Sequence, residues 1–266
     1  MQFQQCFVAF LDILGFREMV KDQQRVTQAI TFIQSAIANG ISQGSHGIFP
    51  NDPIHQMSLS DSIVFSIPTG ASLYEHYKRL RFLLHAVQKF QQLCAINDIW
   101  IRGGVSWGQL STGQNVVGEG LVKAFEIEQS ARFPRVVIDP RILPELFTPL
   151  NGPKSRQELI KEINLSFGVQ NYSGEFLFSK EKHLAQPFQG YLQDDVPLFV
   201  HYFHNLYSQD FTENQRQKIC ENISKWVYKT KSTEIYSKYR WVIDYAYAVS
   251  PTESHETNFI KDLLRL

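Results

Sequence analysis

The stretch QCFVAFLDILGF (residues 5–16) decides the fold, because it predicts a buried strand followed by a tight turn. Residues 6–11 are apolar and partly β-branched or aromatic, which is typical of a strand in a protein core. Asp12 interrupts the apolar run, so we expect the strand to stop there. Gly15 permits the chain to turn sharply before the next element begins.

Helical and extended patterns alternate along the rest of the first half. Apolar residues recur at helical spacing in residues 17–41 and 71–96, and each run predicts a long helix. Gly40 and the SQGSHG after it predict the end of the first helix. Residues 55–67 alternate between apolar and polar, which predicts two short strands that fold back at Ser60-Asp61. We then predict a strand, a loop, a helix and a short strand over residues 99–107, 108–118, 120–132 and 135–138.

The order β-α-β-β-α-β through residue 107 is that of a ferredoxin-like unit. The predicted fold class is α+β, with helices packed on a mostly antiparallel sheet. In this topology the first strand ends at the edge where the hairpin between the second and third strands turns. Asp12 ends that strand and Asp61 lies in that turn, so two carboxylates 49 residues apart (61 − 12) are expected side by side.

The second half is predicted to be an extension of this unit. We expect residues 1–140 to form a core and residues 141–266 to form an α/β extension packed on it, because no linker or repeat separates two independent units. In the extension we predict a hairpin over residues 167–178, a strand within 188–203, and helices over 213–228 and 234–247.

Composition and charge narrow the range of functions. The chain has 266 residues, 43% of them hydrophobic, which is enough for a large core. Lys+Arg 26 balance Asp+Glu 26, so no overall charge favours nucleic acid or an anionic membrane. No apolar run reaches the roughly 18 residues of a membrane span. The apolar N-terminal stretch is not preceded by a basic segment, so we do not expect a signal peptide. Cys6, Cys94 and Cys220 are odd in number and far apart, which favours a reducing cytoplasm over a disulfide framework.

The two aspartates suggest a metal site. Adjacent carboxylates repel each other unless a cation lies between them. Mg²⁺ and Mn²⁺ prefer such oxygen ligands, and two ions about 4 Å apart are a common device for in-line phosphoryl transfer. N–H groups at the helix start after Gly15 can hold a phosphate. The sequence thus predicts a metal-bound triphosphate over this edge, with a structural alternative in which Asp12 caps a helix and Asp61 stabilises the turn.

Four segments, within about residues 5–140, resemble motifs of the class III nucleotidyl cyclases. FVAFLDILGF (7–16) resembles their first metal motif, and SLSDSIVF (58–65) resembles their second. IRGGVSWGQL (101–110) resembles the strand and loop that follow. VVGEGLVKAFEIEQ (116–129) resembles the segment that carries ribose- and phosphate-binding residues.

The departures from the family pattern concern the base and the ribose. Met57 and Asn115 occupy the places of the two base-reading residues of the purine enzymes, and Ser60 replaces the usual Gly before the second aspartate. Val122 and Glu126 stand where the family offers a ribose-binding Asn and a transition-state Arg. With both aspartates kept, the combination resembles the bacterial pyrimidine cyclases of anti-phage signalling, which make cyclic UMP or cyclic CMP.

The resemblance implies a reaction of UTP or CTP with two divalent metal ions, Mn²⁺ or Mg²⁺. The carboxylates of Asp12 and Asp61 and the carbonyl of Ile13 would hold the ions. The ribose 3′-hydroxyl would attack the α-phosphorus in line and release pyrophosphate. The departing pyrophosphate would be bound by the backbone N–H groups of Leu14, Gly15 and Phe16.

Two basic residues are candidates for phosphate contacts. Arg102 is predicted near the same sheet edge, although it could instead pair with Asp98 or be a buried structural arginine. Lys123 is the basic residue of the first turn of the 120–132 helix, although it could be an ordinary surface lysine.

The base is predicted to lie over one face of the 55–59 strand. His55 and Met57 share that face by the two-residue period of a strand, and His55 or Asn115 could supply hydrogen bonds. Met57 could instead belong to the core.

The resemblance also implies partners. The family works as a dimer that shares its sites between subunits, so a homodimer is expected, with a downstream effector protein activated by the cyclic nucleotide. A catalytically silent nucleotide-binding regulator stays open as an alternative, and so does a purine cyclase. A diguanylate-cyclase-like or polymerase-palm enzyme is disfavoured by the absence of a GGDEF-type signature and by the neutral charge.

Overall fold

The fold is described by a computed structural model that covers residues 2–44, 54–112, 116–143, 158, 177–178, 198–204, 206 and 211–249. Its strands are β1 (Gln4–Ile13), β2 (His55–Leu59), β3 (Ser62–Pro68), β4 (Ile101–Thr112), β5 (Val116–Val117), β6 (Val136–Ile138), β7 (Leu177–Phe178) and β8 (Phe199–Val200). Its helices are α1 (Phe16–Met19), α2 (Gln23–Gly44), α3 (Leu73–Ile96), α4 (Glu119–Ser130), α5 (Glu213–Lys229) and α6 (Thr233–Ala248).

The described strands form one sheet in the order β2-β3-β1-β4-β6-β8-β7, with β5 paired to β4. The pairing of β4 with β6 is parallel and the other pairings are antiparallel. The first four strands in this order, joined through α2 and α3, form the predicted ferredoxin-like unit. The predicted fold class, α+β with a mostly antiparallel sheet, is confirmed.

Both faces of the sheet are covered, which explains the unbroken apolar run of β1. Phe7, Ala9 and Leu11 pack in the cluster that includes α2 and α3. Cys6 and Val8 point to the opposite face, where they pack with residues of α4. Since side chains alternate along a strand, the next positions on the α4 face after Val8 are those of residues 10 and 12.

Close packing of α4 on the sheet depends on glycines of β4. A side chain at Gly104 would overlap the Ala124 carbonyl oxygen of α4, and a Cβ at Gly108 would lie 2.8 Å from the Gly120 nitrogen. These glycines therefore let α4 lie directly against β4, a contact that also fixes the position of every side chain that α4 presents to the sheet.

Several predicted boundaries are corrected. The predicted helix over residues 17–41 is two helices, α1 and α2, and Gly40 lies inside α2 rather than at its end. A Cβ at Gly40 would lie 3.0 Å from the Ala86 carbonyl oxygen, so this glycine serves the packing of α2 on α3. The predicted loop over 108–118 is largely strand, because β4 continues to Thr112 and β5 pairs with its end.

The described part of the extension packs on the core through aromatic side chains. Trp241 of α6 stacks on Phe133 at 5.5 Å between ring centroids and lies edge-on to Phe199 of β8. Asn222 of α5 donates to the carbonyl oxygens of Ala95 and Ile96 at the end of α3. The helices predicted over 213–228 and 234–247 are confirmed as α5 and α6.

Parts of the prediction lie outside the described residues. Of the hairpin predicted over 167–178, only the last two residues are described, and they form β7. The division at residue 140 stays a prediction. Among the described helices, none combines the length and the apolar character that crossing a membrane requires.

Candidate active site

The end of β1 and the β2–β3 turn meet at one edge of the sheet. Asp12 is the Cα partner of Ser62 on one side and of Arg102 on the other. The Ile13 N–H donates to the Asp61 carbonyl oxygen at 3.2 Å. Asp12 and Asp61 are thus neighbours across two strands, as the topology predicts, and Asp12 points to the α4 face of the sheet.

The turn that holds Asp61 contains a strained residue. Leu59 pairs with Ser62, so the hairpin has a two-residue loop of Ser60 and Asp61. Ser60 has φ 56, in the left-handed region that favours glycine. This is the position where the resemblance leads us to expect Gly, and the geometry gives the reason for that expectation.

The turn after β1 is formed by Gly15, as predicted. Gly15 has φ 77 and precedes α1. The Leu14 N–H, however, donates to the Trp100 carbonyl oxygen at 2.8 Å. In this conformation the Leu14 amide is already engaged, so its predicted role in phosphate binding is corrected. The phosphate contacts of the Gly15 and Phe16 amides stay predictions.

Arg102 contacts carboxylates at this edge. Its Nη2 lies 3.3 Å from Asp12 Oδ2 and also contacts Glu128 Oε1 of α4. The arginine is therefore at the predicted edge, but its partners in the structure are two acidic side chains. A phosphate contact of Arg102 stays a prediction, and it requires the guanidinium to reach beyond Asp12.

Glu128 is a site residue that sequence reasoning missed. Its side chain is 1% exposed, and its other oxygen accepts from Gln129 Nε2 at 2.6 Å. The signal was present in the helical spacing, because Glu128 falls on the same stripe of α4 as Gly120, Ala124 and Ala131. A charged residue on a buried stripe indicates a partner of opposite charge, and that partner is Arg102.

The edge carries more negative than positive charge. Burial raises the pKa of the Asp12 carboxyl from its usual 3.8 to about 6, and the Glu128 and Asp61 carboxylates add to the rise, whereas Arg102 opposes it. Three ionised carboxylates and one guanidinium give a net charge of −2, which one divalent cation would neutralise.

The donor atoms fit hard divalent cations. Two carboxylates and the Ile13 carbonyl are oxygen ligands of the kind that Mg²⁺ and Mn²⁺ prefer. The described residues contain no group of three or more His, Cys, Asp or Glu side chains placed to hold a metal ion. The predicted ligand set therefore consists of the two carboxylates and the backbone carbonyl, with the remaining positions taken by water or by the nucleotide's own oxygens.

The predicted base-binding residues lie on the same face as Asp12. Met57 is the Cα partner of Val64, and His55 is the partner of Ser66. Met57 is half-buried against the apolar cluster under α4, so it does belong in part to the core, and His55 is exposed. Asn115 lies outside the described residues.

The α4 positions that depart from the family pattern face outward. Val122 is 56% exposed and Glu126 is exposed. Lys123 pairs with Glu119 one turn earlier at 2.5 Å and is 23% exposed. Its predicted phosphate contact would require it to leave this partner.

A separate cleft of about 310 Å³ is lined by neither Asp12 nor Asp61. Its wall includes Arg25, Asp98 and Lys225. The Asp98 carboxylate accepts from Lys225 Nζ at 2.7 Å and from Trp226 Nε1 at 2.8 Å, so it links α5 to the turn before β4. Arg102 pairs with Asp12 and Glu128, so its alternative pairing with Asp98 is wrong.

No family model matches the chain, and no curated protein matches it. A solved structure of a bacterial light-regulated adenylyl cyclase is similar over 82% of this chain, with 12% identity and a TM-score of 0.40. The chain spans 57% of the length of that protein. A likeness this low does not bear on activity.

Proposed function

We propose that the chain is a nucleotidyl cyclase that converts UTP or CTP into the 3′,5′-cyclic nucleotide and pyrophosphate. The observation that carries the proposal is the meeting of Asp12 and Asp61 at one sheet edge, beside the Gly15 turn. The resemblance of both segments to the metal motifs of class III cyclases supports the choice of reaction. The net negative charge of the edge supports the need for divalent cations.

The residues of the chain would bind and orient the reactants. Two divalent ions, when bound, would lower the pKa of the ribose 3′-hydroxyl and neutralise charge on the phosphates. Asp12, Asp61 and the Ile13 carbonyl would hold these ions. The N–H groups of Gly15 and Phe16 would contact the pyrophosphate as its bond to the α-phosphorus breaks. Such positioning and charge neutralisation are what phosphoryl transfer requires.

The base would lie on the α4 face of β2. Met57 lies two strands away from Asp12 across the sheet, and two residues along its own strand from the position level with Asp12. The two Cα atoms are therefore about 12 Å apart. That separation suits a nucleotide with its phosphates at the aspartates and its base over Met57. An apolar side chain in place of a polar one supports a pyrimidine over a purine, with His55 or Asn115 as hydrogen-bonding partners.

Turnover with each nucleotide tests the proposal. Purified protein is incubated separately with ATP, GTP, CTP and UTP in Mn²⁺, and the products are resolved by chromatography and mass. We expect a cyclic pyrimidine nucleotide with equimolar pyrophosphate, and a loss of at least roughly a hundredfold in Asp12→Ala and in Asp61→Ala. The matched control is Glu221→Ala, an exposed carboxylate of α5. Cyclic AMP or cyclic GMP would contradict the pyrimidine assignment, and normal turnover by either aspartate variant would contradict the site.

A catalytically silent nucleotide-binding regulator is the second candidate. It is favoured by Val122 and Glu126, which provide neither the ribose-binding nor the transition-state side chain of the family. Nucleotide binding by calorimetry, with no product from any nucleotide, would favour this candidate over the cyclase.

The biological role follows from the same resemblance. We propose that a homodimer makes cyclic UMP or cyclic CMP during phage infection and that an effector protein responds to it. Bacteria carrying the wild-type chain with its effector should restrict phage and accumulate the cyclic nucleotide, and bacteria carrying Asp12→Ala should do neither. Equal restriction by the two strains would contradict this role.

A further inference from the structure

We propose that Arg102 is a built-in counter-ion for Asp12 and that Glu128 anchors it, so that a divalent cation can replace Arg102 at Asp12 without expelling the arginine from the site. Glu128 would then be a positioning residue that sets the affinity of the edge for divalent cations. This inference rests on the proposed function in one respect, namely that Asp12 binds such a cation.

One guanidinium nitrogen joins the two carboxylates. Arg102 Nη2 lies 3.3 Å from Asp12 Oδ2 and contacts Glu128 Oε1. Arg102 Nε is buried and has no hydrogen-bond partner among the described residues. The guanidinium is thus held through one nitrogen. The contacts of the described residues do not include a bidentate pairing, which would fix the guanidinium on a single carboxylate.

The two carboxylates differ in what can reach them. The Asp12 side chain is 21% exposed, whereas the Glu128 side chain is 1% exposed. Glu128 is also fixed by the close contact of α4 with Gly104 of β4. An incoming cation therefore meets Asp12 first, and Arg102 retains Glu128 as a partner when it loses Asp12.

Glu128 should strengthen cation binding at Asp12 in two ways. Its negative charge near Asp12 attracts a cation, and its contact with Arg102 draws the guanidinium away from Asp12. With Glu128 ionised, the net charge of Asp12, Asp61, Glu128 and Arg102 is −2; with an amide in its place, it is −1. Glu128→Gln should therefore weaken cation binding both by lost attraction and by stronger competition from Arg102.

Calorimetric titration of the nucleotide-free protein with Mn²⁺ tests the inference without any measurement of turnover. We expect Glu128→Gln to bind Mn²⁺ at least roughly tenfold more weakly than the wild type, the scale of one charge removed a few ångströms away in a partly buried site. The control is Glu126→Gln, two residues away and so on the opposite, exposed face of α4, which should bind within about twofold of the wild type.

A double variant separates positioning from a purely structural role. In Arg102→Met/Glu128→Gln the competing guanidinium is absent and the net charge is again −2, so Mn²⁺ affinity should recover most of the loss. The double variant removes both members of the Arg102–Glu128 pair, so Glu128 leaves no unpaired arginine behind, although Asp12 then has no counter-ion until a cation binds. If Glu128→Gln alone fails to fold, the double variant is compared with the wild type, and a much weaker Mn²⁺ affinity than that of the wild type would contradict the inference.

The outcomes distinguish this inference from the proposed function. Unchanged Mn²⁺ affinity in folded Glu128→Gln, or no recovery in the double variant, would overturn the inference while leaving the metal site in place. A wild-type protein that binds no Mn²⁺, with or without nucleotide, would contradict the proposed function and would overturn the inference with it.

Discussion

Replacing Asp12 by Asn should make the metal-free protein more stable, although it should abolish cation binding and turnover. Asn mimics the protonated, uncharged form of Asp. The pKa of Asp12 is raised to about 6 because burial, Glu128 and Asp61 together outweigh Arg102. The folded state therefore disfavours the ionised carboxylate near neutral pH, and the neutral amide removes that cost.

The magnitude follows from the pKa. A rise from 3.8 to about 6 corresponds to at most about 3 kcal/mol at roughly 1.4 kcal/mol per pKa unit. Because the Asp12 side chain is 21% exposed, solvent screening reduces the expected gain in the free energy of unfolding to about 1–2 kcal/mol. Since the folded pKa lies above the unfolded one, the cost is absent below about pH 4, grows between about pH 4 and pH 6, and is complete above that range.

Urea unfolding in the presence of a chelator measures this effect. We expect the midpoint of Asp12→Asn to exceed that of the wild type at about pH 7, and the difference to vanish towards pH 4. Glu126→Gln, which removes an exposed carboxylate, is the control and should show no such pH-dependent gain. An Asp12→Asn variant less stable than the wild type at neutral pH, or a gain of equal size at about pH 4, would refute the reasoning.

Three further variants test the structure that positions the site. Ser60→Gly should raise the free energy of unfolding by about 0.5 kcal/mol in urea titrations. The reason is that relief of the left-handed backbone strain slightly exceeds the cost of the added entropy of the unfolded chain. A loss of stability would contradict the presence of strain at Ser60. Gly104→Ala should lower the free energy of unfolding by about 2 kcal/mol, because the added methyl group overlaps the Ala124 carbonyl oxygen. The same variant should bind Mn²⁺ more weakly, because α4 is displaced. A neutral effect on both measurements would contradict the close packing. Asn222→Ala should cost about 1–2 kcal/mol in thermal unfolding, because it leaves the carbonyl oxygens at the end of α3 without its amide; an unchanged transition would show that this link between extension and core is dispensable.

The meeting of Asp12 and Asp61 was predictable because it depends only on element order and on strand period. Both features are encoded locally, in the apolar run of residues 6–11 and in the alternation of residues 55–67. The strand order then follows from the βαββαβ topology. No side-chain contact across the fold was needed to place the two carboxylates at one edge.

Element order and strand period could not predict the contacts of Leu14 and Glu128, for two different reasons. The Leu14 amide is engaged because the backbone of β1 continues to pair with the start of β4 past Asp12, and register of this kind is set by tertiary packing. Glu128 lies 26 residues from Arg102 (128 − 102), on a helix whose angle to the sheet depends on the glycines of β4. Its position on the buried stripe of α4 was the signal that could have identified it.

The pairing of the basic side chains would make nucleotide binding at this edge depend on divalent ions. The two basic residues predicted to contact phosphate, Arg102 and Lys123, both contact carboxylates of the chain itself. A triphosphate approaching Asp12 and Asp61 would thus meet carboxylates whose repulsion is offset in part by one arginine. If the proposed substrate binds here, it would need cations that arrive with it, and the −2 charge of the edge is the feature that would recruit them.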